Sequence, residues 1–221
     1  MSKKCLVIDP TKPLPSKLDT EYWETFAKLI LERFCPNTFF SLSVDGDKPD
    51  LRNVSSGVGI EVTSSESKES REIDSLYAQQ YIHGSCEQKK KALKRIEELG
   101  GKVKEHFLMH PTMNRSLERI YDVVEDKTKK LNNNYEIFNE NDLFIFDSIL
   151  IVDQELLEIL NHITESSVGD VSFEKVFLCC LGGDLYEFNI LSGTYKHYEN
   201  SHKRIQQLAL DARQVLVEKY K

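Results

Sequence analysis

The stretch Pro49–Thr63, PDLRNVSSGVGIEVT, holds two carboxylates, Asp50 and Glu61, with ten residues between them. Ser55-Ser56-Gly57 is suited to a turn. Its flanks, Leu51–Val54 and Val58–Val62, read as two short strands. A hairpin of that shape brings Asp50 and Glu61 together on one sheet. Two carboxylates at one point, with backbone carbonyls close by, form an oxygen-ligand site for a hard divalent ion such as Mg²⁺. A bound divalent ion activates water and stabilises a charged leaving oxygen, which is the chemistry of phosphodiester hydrolysis.

The elements that must position this hairpin follow from periodicity. Asp19 or Thr20 caps a helix running to about Phe34, with Trp23, Phe26, Ala27, Ile30 and Phe34 at helical spacing and Pro36 beyond its end. Residues 38–44 read as a strand and Asp45-Gly46-Asp47 as a turn. A long helical stretch is expected over roughly Ser67–Leu99, interrupted at Gly84 and ended by Gly100-Gly101. Another helix is expected over Arg115–Leu131, stopped by Asn132-Asn133-Asn134. The apolar run Asp142–Val152 suits a buried central strand, and Asp153 caps a short helix to Ile163. Lys175–Leu181 and Asp184–Ile190 flank Gly182-Gly183 as a hairpin, and residues 201–220 form an amphipathic helix. Helices and strands in this mixed order give an α/β protein. At 221 residues and 40% hydrophobic content, with roughly 100–200 residues per domain, one domain spanning 1–221 is expected.

Composition narrows the function classes. No apolar run is long enough to span a bilayer, and the apolar part of the N-terminus is too short for a signal peptide, so a cytoplasmic protein is expected. Five cysteines, Cys5, Cys35, Cys86, Cys179 and Cys180, show no zinc spacing, and Cys179 and Cys180 read as buried small hydrophobes. The six histidines show no metal-ligand motif, and neither a phosphate loop nor a nucleophile elbow occurs. Ser64-Ser65 reads as helix capping rather than as a nucleophile. Net charge is −7, and the excess is C-terminal: residues 1–110 carry 17 basic and 17 acidic residues, residues 111–221 carry 12 and 19. The concentrated positive charge is Lys89, Lys90, Lys91, Lys94 and Arg95, either a solvated helix face or a phosphate-contacting one.

In element order and in Pro49, Asp50, Glu61 and Thr63, residues 20–152 resemble the PD-(D/E)xK, or restriction endonuclease-like, nuclease superfamily. The resemblance implies an αβββαβ core with a central mixed sheet flanked by helices, here followed by a C-terminal extension (residues 153–221) of hairpin and helix. It implies a Mg²⁺- or Mn²⁺-dependent nuclease hydrolysing DNA, with Asp50, Glu61 and the Val62 carbonyl as metal ligands. Members of the superfamily often add a glutamate from the first helix. Of Glu21, Glu24 and Glu32, only Glu24 lies at the edge of the apolar stripe, from where it can reach the sheet, so Glu24 is the expected fourth ligand. Thr63 departs from the pattern, since a lysine is usual there. A threonine hydroxyl orients a water but carries no charge. Lys68, or less favourably Lys48, is the expected substitute. The alternative is a catalytically silent relative that binds nucleic acid or protein. The exonuclease-type Gln-x-x-x-Tyr motif is not matched by Gln79 or Gln80. The C-terminal helix either covers a sheet face or offers a partner or homodimer surface.

Overall fold

A computed structural model describes residues 8, 14–44, 48–77, 81, 85–104, 107–109, 117–149, 151–180, 183–199 and 202–220. The expected turn at Asp45–Asp47, the interruption at Gly84, and Gln79 and Gln80 lie outside them. The chain forms two compact units. One is drawn from Met1–Ser16, Glu66–Ser116 and Val217–Lys221, the other from Lys17–Ser65 and Leu117–Leu216.

The larger unit is built on an open six-stranded mixed sheet in the order β1-β2-β5-β6-β7-β8. β1 (Leu51–Asn53) pairs antiparallel with β2 (Val58–Ser64), and β2 runs parallel to β5 (Glu140–Asp147). β5 runs parallel to β6 (Lys175–Cys180), and β7 (Asp184–Asn189) and β8 (Thr194–Tyr198) continue antiparallel. β5 is apolar from Leu143 to Phe146 because both faces are covered there. Phe144 and Phe146 point to one face, where they meet Phe26 and Ile30 of α1 (Asp19–Phe34) and Ile205 and Ala212 of α6 (His202–Lys219). Leu143 and Ile145 point to the other, with Ile120 and Val124 of α4 (Glu118–Asn134) and Ile159 and Ile163 of α5 (Leu156–Ser166). Burial of these side chains on both faces, at about 1.5–3 kcal/mol each, fixes the strand register.

In the smaller unit, α2 (Lys68–Ser75) is capped by Ser67, whose hydroxyl accepts from the Ser70 amide at 3.0 Å. α3 (Cys86–Glu98) opens with a reciprocal box between Ser85 and Gln88. It closes at Gly100-Gly101, whose amides donate to Glu97 and Ile96 carbonyls at 3.0 and 2.9 Å, as expected. A two-stranded ladder, β3 (Lys102–Lys104) with β4 (Phe107–Met109), follows.

Three expectations are corrected. Residues 38–44 are not a strand: Phe39 and Leu42 are buried at a spacing of three, Phe40 is exposed, and Ser41 has φ of 64°. Only Ser43 retains a bridge, to Arg52. The central strand stops at Asp147, not Val152. Ser65 caps no helix; its amide and hydroxyl bind the Phe146 carbonyl at 3.1 and 3.3 Å and its hydroxyl binds Asp147, tying the end of β2 to β5. Three short strands were not read from the sequence, the pair β3–β4 and the edge strand β8. The helices over 118–134 and 202–219 fall close to their expected places, but Asn132-Asn133-Asn134 form the last residues of the former rather than stopping it. Among the described residues, no helix is long and apolar enough to cross a membrane.

Candidate metal centre

The β1–β2 hairpin forms as its residue types dictate. The Asn53 side-chain oxygen accepts the Ser55 and Ser56 amides at 3.1 and 3.2 Å and the Ser55 hydroxyl at 2.6 Å, closing the turn. Gly57 completes it at φ +71°. Gly59 is required for a different reason: a β-carbon there would stand 2.8 Å from both Pro49 and Phe138. Pro49 therefore packs directly over β2, which sets Asp50 at the strand end.

Leu51 pairs with Ile60, so Asp50 comes level with Glu61. The Val62 amide donates to Asp50 Oδ2 at 2.8 Å, which fixes that carboxylate against β2. Val62 turns its side chain to the α1 face, while Glu61 and Thr63, one residue to either side, take the opposite face. Glu61 is buried at 5% exposure. Its Oε1 accepts two hydrogen bonds, from Lys127 Nζ at 2.6 Å and from the Tyr135 hydroxyl at 2.7 Å. Its Oε2 is buried and has no hydrogen-bond partner. Burial, and next the hydrogen bond to Glu61, raise the Tyr135 phenol well above its ordinary value, so it remains a donor.

Glu24 joins the same electrostatic neighbourhood from α1. Burial raises its carboxyl to about 7, followed by the charges of Asp50, Glu21 and Glu61. Glu32 is committed elsewhere: it accepts the Leu42 amide at 3.1 Å and pairs with Lys28 at 3.5 Å. The sequence-based preference for Glu24 thus falls on a carboxyl within the field of both hairpin carboxylates.

Thr63 is half-buried and pairs opposite Ile145 of β5. Lys68 is exposed at the start of α2 in the smaller unit, and Lys48 is exposed before Pro49. The cation on Glu61 is neither of them. It is Lys127 of α4, which the sequence reading did not single out, and neither did it single out Tyr135. Helical spacing held the missing signal. Ile120, Val124, Thr128 and Leu131 form the buried face of α4, and Lys127 lies beside it. Lys129 and Lys130, by contrast, pair with Glu125 and Asp126 four residues earlier on the exposed side.

Three of the five basic residues of α3 pair with carboxylates. Lys91 meets Glu87 at 2.9 Å, Lys94 meets Glu98 at 4.0 Å, and Arg95 meets Glu72 at 2.7 Å and Glu98 at 3.5 Å. Lys90 is exposed and Lys89 half-buried.

A second polar cluster lies at the end of α1 in the larger unit. The Cys35 sulfur is 2.9 Å from the Tyr198 hydroxyl, which donates to Glu187 at 2.5 Å. Burial pushes the Cys35 thiol up to about 11. Nearby, Asp142 is fully buried, accepts the Lys175 amide at 3.0 Å, and burial raises its carboxyl well above the ordinary range. Cys35, Tyr198, Glu187 and Lys175, with Lys196 and Asn37, border a cavity of about 270 Å³.

Among the described residues, no three His, Cys, Asp or Glu side chains are gathered as a ready ligand set. The donor chemistry at Asp50, Glu61 and Glu24 nevertheless fits a hard divalent cation: every donor is oxygen, the charge is negative, and Glu61 Oε2 is a buried oxygen lacking a partner. Compared with protein-family models, curated proteins and solved structures, the chain matches none.

Proposed function

We propose that the chain is a divalent-metal-dependent phosphodiester hydrolase acting on DNA, built on a restriction endonuclease-like core. The observation that carries this reading is the register that sets Asp50 level with Glu61 on one hairpin, with the Glu24 carboxyl, raised to about 7 first by burial and then by nearby carboxylates, in their neighbourhood. Carboxylates crowded in this way favour a cation, and such perturbed groups collect at functional sites. The order α1, β1–β2 hairpin, α4 and parallel β5 supports the fold assignment, although the strand expected over 38–44 is absent.

Asp50, Glu61 and Glu24 would hold Mg²⁺ or Mn²⁺, which when bound supplies Lewis acidity and lowers the pKa of water. The chain's own share is positional. Val62 fixes Asp50, Pro49 on Gly59 sets the strand end, and Lys127 and Tyr135 orient Glu61. Incubation of the purified chain with Mg²⁺ or Mn²⁺ and single- or double-stranded DNA tests the reading. Cleavage that chelator abolishes, and that Asp50→Ala and Glu61→Ala each reduce by about 10³-fold or more, is expected. Intact DNA under all these conditions defeats it.

A silent, binding-only relative is the second reading. It is favoured by one observation, the engagement of Glu61 Oε1 by a lysine of the same chain. DNA binding indifferent to chelator, without cutting, would select it.

A further inference from the structure

We infer that Lys127 is the resident cation of this site: it competes with the divalent ion for Glu61, and in cleavage it supplies the positive charge that Thr63 does not. The inference rests on the metal-dependent reading above and deepens it. Four observations carry it. Lys127 Nζ lies 2.6 Å from Glu61 Oε1, and the two side chains are only 16% and 7% exposed. Tyr135 donates to the same oxygen, so Glu61 is held from one side only. Oε2, on the other side, is buried and unpartnered. Thr63 occupies the same face of β2 two residues on, where its hydroxyl offers no charge.

A lysine paired to one oxygen of a carboxylate has two opposite effects on a divalent ion. It neutralises part of the charge that attracts the ion, which weakens binding. It also fixes the carboxylate and places an ammonium, with donors to spare, beside the reacting phosphate. In hydrolysis the water oxygen forms a bond to phosphorus, and the ester P–O bond breaks with its electron pair on the leaving oxygen. That oxygen gains a proton, the attacking water loses one, and solvent balances the exchange. Lys127 keeps its proton throughout. Its charge offsets the negative charge that builds on the phosphoryl oxygens, an effect worth most where water is scarce.

The two effects predict changes of opposite sign, which a merely structural lysine does not produce. In Lys127→Met, Ca²⁺ binding, followed by calorimetry as a probe without turnover, is expected to tighten by roughly tenfold. Mg²⁺-dependent DNA cleavage by the same variant is expected to fall by about 100-fold. Lys127→Arg keeps the charge and is expected to retain both the weaker Ca²⁺ binding and most of the cleavage. The double variant Lys127→Met with Thr63→Lys returns a cation to the same face from β2, and is expected to recover roughly a tenth of the wild-type rate or more.

Unchanged cleavage in Lys127→Met, or weaker Ca²⁺ binding in a folded Lys127→Met, overturns the inference and leaves the metal-dependent reading standing. Should Lys127→Met not fold, the double variant is read in its place, and failure there to exceed about a hundredth of the wild-type rate overturns it. A wild-type chain that neither binds Ca²⁺ nor cuts DNA removes the metal-dependent reading, and this inference falls with it.

Discussion

Helices α3 and α4 both carry closely spaced basic residues, yet they use them differently. In α3, Lys91 and Lys94 are 74% and 81% exposed and pair with carboxylates of their own helix. In α4, Lys129 and Lys130 do the same, but Lys127 leaves the pattern and reaches a carboxylate 66 residues away in sequence. The difference lies in what surrounds the pair. Exposed i, i+4 pairs sit in water and salt and contribute a few tenths of a kcal/mol. A pair taken out of water is hard to break, because the surviving partner is left as a buried charge. Dense positive charge is therefore a poor guide to where a lysine matters; position relative to an apolar stripe is a better one.

Removing the two kinds of lysine should separate them sharply. Lys127→Ala is expected to destabilise the chain by about 3 kcal/mol, measured by urea melts, because Glu61 loses its ionic partner while remaining buried. Gly59→Ala, which drives a β-carbon into Pro49 and Phe138, is expected to cost about 1–3 kcal/mol and to reduce cleavage with it, since both contacts position the hairpin. Tyr135→Phe removes one hydrogen bond from the oxygen that Lys127 still holds, and about 1 kcal/mol should suffice. Lys91→Ala and Lys94→Ala are expected to stay within about 0.5 kcal/mol. If these residues touch phosphate, each replacement should also lower the salt slope of DNA binding by about 1, and an unchanged slope would reduce α3 to a solvated face.

The Glu24 carboxyl gives the comparison a pH axis. Its proton is held to about 7 in the folded chain against an ordinary 4.5. The folded state thus binds more protons than the unfolded one across that window, and metal-free stability should fall as pH rises through it and level off above. Thermal melts in chelator from pH 4 to 8 should show the slope in wild type and a flatter profile in Glu24→Gln.

Much of this arrangement was legible in the sequence. Alternation and turn residues announced the β1–β2 hairpin, because a hairpin depends on neighbours a few residues away. Helical spacing marks Lys127 only as lying beside the buried stripe of α4; what it and Tyr135 reach was not legible, for the opposite reason. Their partner is Glu61, and only the parallel pairing of β2 with β5, through α4, brings them together. Residues 38–44 misled because Phe39 and Leu42 are buried as parts of a turn, which periodicity over seven residues does not distinguish from a strand. β8 escaped notice because an edge strand with exposed Tyr195 and Lys196 lacks apolar alternation.

The Cys35 network carries a consequence of a kinetic kind. With its thiol at about 11 and its sulfur against Tyr198, Cys35 offers little thiolate to an alkylating reagent at neutral pH. Exposed Cys86 is open to the same reagent at once. Labelling at Cys35, half-buried on the border of the cavity, is therefore expected to lag behind Cys86 through its scarcity of thiolate, and to quicken as pH rises towards 11. The two thiols thus give the end of α1 a chemical reading of its own, with Cys86 as the internal reference.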